Sequence, residues 1–127
     1  MYEITICREF SAAHAIRLYD GTLELVHGHN WSVRLTVEAD KLDEIGVVMD
    51  FHLLEQLIDR QIETVHNRNL NDVPPFAGGE VNPTAEEVAR WLGDRVAPQL
   101  PGVVHLRLVE VGEAPGCLAT YRPDPQG

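Results

Sequence analysis

The sequence predicts a single α+β domain, with two helices covering one face of an antiparallel four-stranded sheet in the order ββααββ. Two long segments alternate apolar and polar residues, the middle of the chain repeats apolar residues at helical spacing, and two short alternating segments follow. Strands that follow each other directly favour antiparallel pairing, and the helices between the two strand pairs favour one covered face. We place the domain at residues 1–122 and expect a disordered tail at 123–127.

The first two strands are predicted at residues 2–14 and 27–38. In the first, the even-numbered side chains lie on one face, and Arg8 is the only charged residue among them. The others on this face are Tyr2, Ile4, Ile6, Phe10, Ala12 and His14. In the second, one face carries His27, His29, Trp31, Val33, Leu35 and Val37. The dipeptide Asp20-Gly21 marks a turn between the two strands.

Two helices follow, each with a start signal. Apolar residues recur with the period of a helix at Phe51, Leu54, Leu57, Ile58, Ile62 and Val65. Asp50 is placed to cap this helix, and Thr84 with Glu87 has the spacing of a capping box for the second. Pro98 and Pro101 end the second helix, and short strands are predicted at residues 103–111 and 117–121.

Composition excludes several classes of function. The 20 acidic and 10 basic residues give a net charge of −10, and Lys41 is the only lysine. Because nucleic acids and anionic membranes are bound by clustered Lys and Arg, we expect neither as a partner. Cys7 and Cys117 form no disulfide framework, and the first residues lack the pattern of a signal peptide, so we expect a cytoplasmic protein.

Three of the six histidines carry the strongest chemical signal. His27 and His29 are two apart, which on a strand places both rings on one face about 7 Å apart. His14 ends the preceding strand with matching parity, so the three imidazoles converge if the strands pair. Three histidines with an open fourth position are typical of a catalytic zinc site. A His-x-His pair alone is weak, and buried histidines bonded to backbone groups are the alternative.

Several short motifs in order resemble the 6-pyruvoyl-tetrahydropterin synthase family, which includes the 6-carboxy-tetrahydropterin synthases. The matching motifs are Phe10-Ser11-Ala12-Ala13-His14, His27-Gly28-His29-Asn30, Val48-Met49-Asp50-Phe51, Asn69-Leu70-Asn71, Asn82-Pro83-Thr84-Ala85-Glu86 and Glu113-Ala114-Pro115. The resemblance implies the tunnelling fold. It also implies a homo-oligomer that forms barrels from trimers, usually a hexamer as a dimer of trimers, with active sites between subunits.

The resemblance also assigns roles to individual residues. It implies that His14, His27 and His29 bind Zn²⁺, and that Glu113 holds the pterin ring through hydrogen bonds from the amino group and the adjacent N–H. Thr84 matches a residue whose backbone helps to hold the pterin. For Glu113 the alternative is a solvated turn residue, and for Thr84 it is a helix cap, which does not exclude pterin binding.

The sequence departs from the family at two catalytic positions. Leu23 stands where most members have a cysteine, and neither Cys7 nor Cys117 has the right spacing. The next residue, Glu24, is similar to a family branch in which a glutamate replaces that cysteine and the product is 6-hydroxymethyl-dihydropterin. A carboxylate beside a zinc-bound hydroxyl suits a general base. A solvated loop glutamate is the alternative.

The second departure concerns proton transfer. Most members carry an Asp-His pair where this chain has His66-Asn67, and an asparagine cannot transfer a proton at ordinary pH. His66 is therefore a candidate acid or base, with Asp72 as a residue that could orient it. A surface-loop histidine is an equal alternative.

Together these features predict a zinc-dependent lyase acting on the side chain of 7,8-dihydroneopterin triphosphate, by retro-aldol cleavage to 6-hydroxymethyl-dihydropterin. The alternatives are the 6-carboxy product of the queuosine route, the 6-pyruvoyl product, a non-catalytic pterin-binding protein and a structural zinc protein. Because the chain is acidic, binding a triphosphate requires arginines positioned to supply local positive charge. Arg17 is the first candidate, and Arg8 and Arg68 are the others.

Overall fold

The computed structural model describes residues 1–124 and has five strands and two α-helices in this part of the chain. The elements are β1 Tyr2–His14, β2 His27–Ala39, α1 Phe51–Ile62, β3 Arg68–Asn69, α2 Ala85–Val96, β4 His105–Ala114 and β5 Cys117–Tyr121. Of the predicted tail, residues 125–127 lie outside the described residues. No helix in the described range combines the length and apolar character that crossing a membrane requires.

The α+β fold class is confirmed, but the sheet is mixed and has five strands in the order β3-β1-β2-β4-β5. The four predicted strands pair antiparallel, whereas β3 pairs in parallel with Ala12 and Ala13 of β1. A strand of two residues is too short to show a period of two, so the sequence pattern could not reveal it. The strand β4 also begins later and runs further than predicted, which places Glu113 on a strand instead of in a turn.

The core lies between the helices and one face of the sheet. This is the face on which the alternation in β1 and β2 predicted the apolar side chains. Its largest fully buried side chains include Phe10 and Trp31, whose rings are stacked with centroids 5.9 Å apart. The Trp31 indole N–H donates to the Ala12 carbonyl oxygen at 3.1 Å, so the one polar atom of this ring is satisfied. The helices pack with Leu54, Leu57, Ile58, Val88, Ala89, Leu92 and Val96.

The register of β1 and β2 positions the histidines. His14 lies directly opposite His27, and Ala12 lies opposite His29. Because side chains on a strand alternate between faces, this register puts all three rings on the helix-covered face at one end of the hairpin. The small Ala12 side chain leaves space beside His29.

Candidate metal centre and active site

The three predicted histidines meet at one point. Their ring centroids are 4.7 Å apart for His14 and His27, 5.1 Å for His14 and His29, and 4.8 Å for His27 and His29. Glu113 from β4 joins them, and one potential ligand atom from each of the four residues lies within 4.8 Å of all the others. We call these four residues the His/Glu cluster.

Backbone carbonyl groups orient two of the rings. The Nδ1 of His14 lies 2.7 Å from the Pro83 carbonyl oxygen, and the Nδ1 of His27 lies 2.9 Å from that of Leu25. A carbonyl oxygen only accepts, so each Nδ1 carries the proton and each Nε2 presents a lone pair to the cluster. Metal-binding histidines are commonly oriented in this way.

The positions of Glu113 and the imidazoles fit a shared cation. The Oε1 of Glu113 lies 3.4 Å from the Nε2 of His14 and 3.2 Å from the Nε2 of His29. Both Nε2 atoms are buried and have no hydrogen-bond partner among the described residues. Because the His14 Nδ1 carries the proton, its Nε2 is an acceptor like the carboxylate oxygen, and two acceptor atoms 3.4 Å apart repel each other unless a cation lies between them. Zinc bonds of about 2.1 Å at tetrahedral angles separate neighbouring ligand atoms by about 3.4 Å, so this donor set suits zinc.

Burial favours the metal-binding form of His29. It lowers the pKa of this imidazole, and the neighbouring His14 and His27 lower it further, although the Glu113 carboxylate opposes this shift. The charged imidazolium is therefore disfavoured. A neutral ring is the form that coordinates a metal, so burial favours the metal-binding form of His29.

Glu24 lies beside the His/Glu cluster. Its Oε1 accepts a hydrogen bond from the Ile16 N–H at 2.9 Å, and its own N–H donates to the Ile16 carbonyl oxygen at 3.0 Å. The same Oε1 is 4.0 Å from the Nε2 of His27. The carboxylate is therefore fixed by the backbone and faces the imidazoles, unlike the freely solvated loop glutamate that was its alternative.

A sequence model described as 6-pyruvoyl tetrahydropterin synthase matches residues 3–124. The chain belongs to the 6-pyruvoyl tetrahydropterin synthase family. Its homologues are lyases that act on pterins, and this family member is accordingly an enzyme of the lyase class. The resemblance inferred from the short motifs is confirmed.

Among the relatives of this family member, a dihydroneopterin monophosphate aldolase of Pyrococcus furiosus is 35% identical over 104 residues, which cover 82% of each chain. A 6-carboxy-5,6,7,8-tetrahydropterin synthase of Bacillus subtilis is 32% identical, covering 99% of this chain and 88% of the relative. The structure of Caenorhabditis elegans 6-pyruvoyl tetrahydropterin synthase superposes with a TM-score of 0.77 at 26% identity, covering 98% of both chains. The tunnelling fold is thereby confirmed.

No cysteine lies in the His/Glu cluster of this family member, as far as the described residues extend. Cys7 and Cys117 are both exposed free thiols, and Leu23 occupies the position that the resemblance assigns to a cysteine. The acidic oxygen nearest to the cluster, apart from Glu113, belongs to Glu24. Neither of the two cysteines is therefore a member of the cluster.

His66 lies outside the His/Glu cluster. Its Nδ1 accepts a hydrogen bond from the Ser11 N–H at 3.2 Å, three residues before His14 on β1, and the residue is exposed. Asn67 follows with a φ of 59° and donates its N–H to the Ser11 carbonyl oxygen at 2.6 Å. Asp72 makes no hydrogen bond to His66 among the described residues, so the predicted orienting contact is not formed.

The remaining predicted binding residues have defined contacts. The Thr84 hydroxyl accepts the Glu87 N–H at 3.1 Å, so Thr84 caps α2 as the alternative predicted. Arg8 binds Asp59 at 2.7 Å and Glu55 at 2.7 Å on α1, and these two carboxylates raise the pKa of its guanidinium. This pairing explains why a charged residue stands among the alternate, mostly apolar residues of β1.

Two other arginines face solvent near the cluster. Arg17 is exposed in the loop between β1 and β2, and its guanidinium donates to the Gly21 carbonyl oxygen at 2.8 Å. Arg68 is exposed on β3 and lines a groove of about 540 Å³ that also reaches Ser11 and His29. Arg68 therefore lies in the same groove as one ring of the cluster, and Arg17 follows His14 by three residues.

Proposed function

We propose that this protein is a zinc-dependent aldolase that cleaves the C1′–C2′ bond of a phosphorylated 7,8-dihydroneopterin and releases 6-hydroxymethyl-7,8-dihydropterin. The observation that carries the proposal is the carboxylate of Glu24, 4.0 Å from the His27 Nε2, at a site without a thiol among the described residues. The 35% identity to a dihydroneopterin monophosphate aldolase supports it. That relative also indicates a monophosphate as an alternative to the triphosphate predicted from the sequence.

In this proposal His14, His27 and His29 hold the zinc ion through their Nε2 atoms. When bound, zinc supplies a Lewis acid that polarises the hydroxyl oxygens of the substrate side chain and lowers their pKa. Glu24 takes the proton of the C2′ hydroxyl. As C2′ becomes an aldehyde carbon, the electron pair of the C1′–C2′ bond moves towards the pterin ring, and protonation at C1′ completes the 6-hydroxymethyl group.

We propose that Glu113, which lies beside the imidazoles, turns to bind the pterin ring when substrate is present and leaves the ion to the three histidines. A carboxylate can accept hydrogen bonds from both the ring amino group and the adjacent N–H. Thr84, through its backbone, is the second proposed ring contact. His66 is proposed as an acid, since its Nδ1 accepts the Ser11 N–H and its Nε2 therefore carries the proton in the neutral ring. The homo-oligomer and the cytoplasmic location stay predictions.

The decisive experiment is product identification. We expect the zinc-loaded protein, incubated with 7,8-dihydroneopterin monophosphate and triphosphate separately, to yield 6-hydroxymethyl-7,8-dihydropterin and a phosphorylated glycolaldehyde, identified by chromatography and mass. Faster turnover of one substrate identifies the phosphate state. A 6-carboxy or 6-pyruvoyl pterin as the main product would contradict the proposal. The 6-carboxy outcome is the second candidate, favoured by the 32% identity to the Bacillus subtilis synthase.

Arg17 is proposed to bind the substrate phosphate. We expect Arg17→Ala to raise KM for the phosphorylated substrate about tenfold, the effect of losing one charge-assisted hydrogen bond. The KM of unphosphorylated dihydroneopterin should stay unchanged, because it has no group for this arginine. Arg107→Ala is the matched control, since Arg107 is exposed and pairs with Glu3 and Glu38 at the other end of the sheet. An equal rise for both substrates would show that Arg17 does not recognise phosphate.

A further inference from the structure

Two asparagine side chains bind the backbone immediately after β1. Asn71 accepts the Ala15 N–H at 2.8 Å and donates to the Ala15 carbonyl oxygen at 2.9 Å. Asn82 accepts the Arg17 N–H at 2.8 Å and donates to the Arg17 carbonyl oxygen at 3.0 Å. Each amide thus pairs with both backbone groups of one residue, as an adjacent strand would.

Ile16, between these two residues, pairs with Glu24 instead. Its N–H donates to the Glu24 Oε1 and its carbonyl oxygen accepts the Glu24 N–H. In an extended segment, neighbouring residues direct their N–H and C=O groups to opposite edges. Residues 15–17 therefore form a short extended segment with the two asparagines on one edge and Glu24 on the other.

Both asparagines are anchored by structure outside this segment. Asn71 belongs to the 3₁₀ turn Leu70–Asp72, in which Leu70 is fully buried and Asn69 accepts the Asn71 N–H at 3.0 Å. Asn82 precedes Pro83, whose carbonyl oxygen binds His14, and Thr84, which caps α2. The positions of the two side-chain amides are thus set by other parts of the fold, and their hydrogen bonds can fix residues 15–17.

We propose that Asn71 and Asn82 are positioning residues that hold the Glu24 carboxylate beside the His/Glu cluster through the backbone of Ile16. This inference rests on the proposed function, in which Glu24 is the general base. Glu24 lies in the loop at residues 15–26, between β1 and β2, where Leu23, Leu25 and Val26 are all exposed. Side-chain packing of these neighbours therefore does little to fix the carboxylate. The contacts that do so are the two to Ile16, together with the neighbouring bridge between Arg17 and Leu23 and the bond from the Leu18 N–H to the Thr22 carbonyl oxygen. The asparagines hold the first strand of this small hairpin in place.

The test uses Asn71→Asp, which keeps the shape and the acceptor but loses the donor to the Ala15 carbonyl oxygen. We expect kcat to fall about tenfold or more, because displacing a catalytic group by about 1 Å costs up to about 100-fold. KM and bound zinc should stay within about twofold of the wild type, and amide exchange at Ile16, measured by NMR, should accelerate about tenfold. Gln99→Glu is the control, since the Gln99 amide donates to the Arg95 carbonyl oxygen at 2.9 Å in a different part of the fold.

Combining Asn71→Asp with Glu24→Gln separates positioning from a general structural role. If Asn71 acts through Glu24, the double variant should turn over at the rate of Glu24→Gln alone. A further tenfold loss in the double variant would overturn the inference, as would unchanged Ile16 exchange in Asn71→Asp. If Asn71→Asp does not fold, Asn82→Asp must show the same three results at normal zinc content, or the inference fails.

The two proposals can fail separately. Full activity in Glu24→Gln would overturn the general-base role of Glu24 and the positioning role built on it. Slow turnover in Glu24→Gln, together with unchanged Ile16 exchange in Asn71→Asp, would overturn the positioning role alone.

Discussion

Replacing Glu24 with glutamine is expected to lower kcat by about 10²–10⁴-fold, the range that removal of a general base produces. Glutamine has nearly the same shape, and its carbonyl oxygen can still accept the Ile16 N–H that binds Glu24 at 2.9 Å. It has no basicity, however, and cannot take the proton of a hydroxyl group. We therefore expect the loss to appear in kcat, measured with the phosphorylated substrate, while zinc content and pterin affinity stay within about twofold.

Glu44→Gln is the matched control for this variant. Glu44 is exposed in the connection between β2 and α1, so its substitution makes the same change of charge away from the cluster. Near-normal kcat in Glu24→Gln would show that another group is the base. Loss of zinc together with activity would show that Glu24 acts on the metal site, 4.0 Å away at the His27 Nε2, and not as the base.

Replacing His14 with alanine is expected to abolish zinc binding and, with it, turnover. His14 is only 1% exposed and its ring contacts those of both other histidines, so its loss removes the ligand at the buried end of the site. Changes in residues that only support metal ligands already cost about 10–100-fold in affinity, and removal of a ligand should cost more. Zinc content by mass spectrometry and affinity by competition with a chromophoric chelator would measure the effect.

Because alanine also leaves a cavity at this buried position, a second variant separates metal loss from unfolding. The His27 side chain is 41% exposed, so His27→Ala should lose zinc without a comparable loss of packing. Added zinc should raise the Tm of the wild type but not of either variant, because only the wild type binds the ion in its folded state. His105→Ala, at an exposed position outside the cluster, should behave as the wild type. Stoichiometric zinc in both cluster variants would contradict the assigned ligands.

Parity predicted that the three histidines share one face, and their meeting followed on the condition that the two strands pair. The apolar faces of β1 and β2 each fix which side chains point to the core, and the turn between them requires antiparallel pairing. The structure supplies the register, in which His14 and His27 are opposite each other. The same reasoning extends to Glu113, since Val109 and Val111 share its parity on β4 and are fully buried. A turn was expected at Glu113, and the longer strand places it with the histidines instead.

Contacts between distant segments could not be predicted in the same way. The strand β3 is only two residues long and is defined by its pairing with Ala12 and Ala13, more than fifty positions earlier. The local sequence does not reveal the contacts of Asn71 and Asn82. The side-chain amide of an asparagine in a loop can form its hydrogen bonds equally well with water or with the backbone of a nearby turn. Their partners are 56 and 65 positions away in the sequence. For Glu24, the contact with the Ile16 N–H eight positions earlier was likewise not predictable from a local pattern.

The three consecutive residues Asn82, Pro83 and Thr84 each contact a different part of the chain. Asn82 binds the backbone of Arg17, the Pro83 carbonyl oxygen orients His14, and Thr84 caps α2. Adding or removing one residue here would shift all three contacts at once, and no single substitution elsewhere could restore them. The exposed Gly78-Gly79 just before this tripeptide contacts nothing that a side chain would displace. Space is therefore not what requires glycine at these two positions, where φ is 96° and 79°, whereas the spacing within the tripeptide is fixed by its three partners.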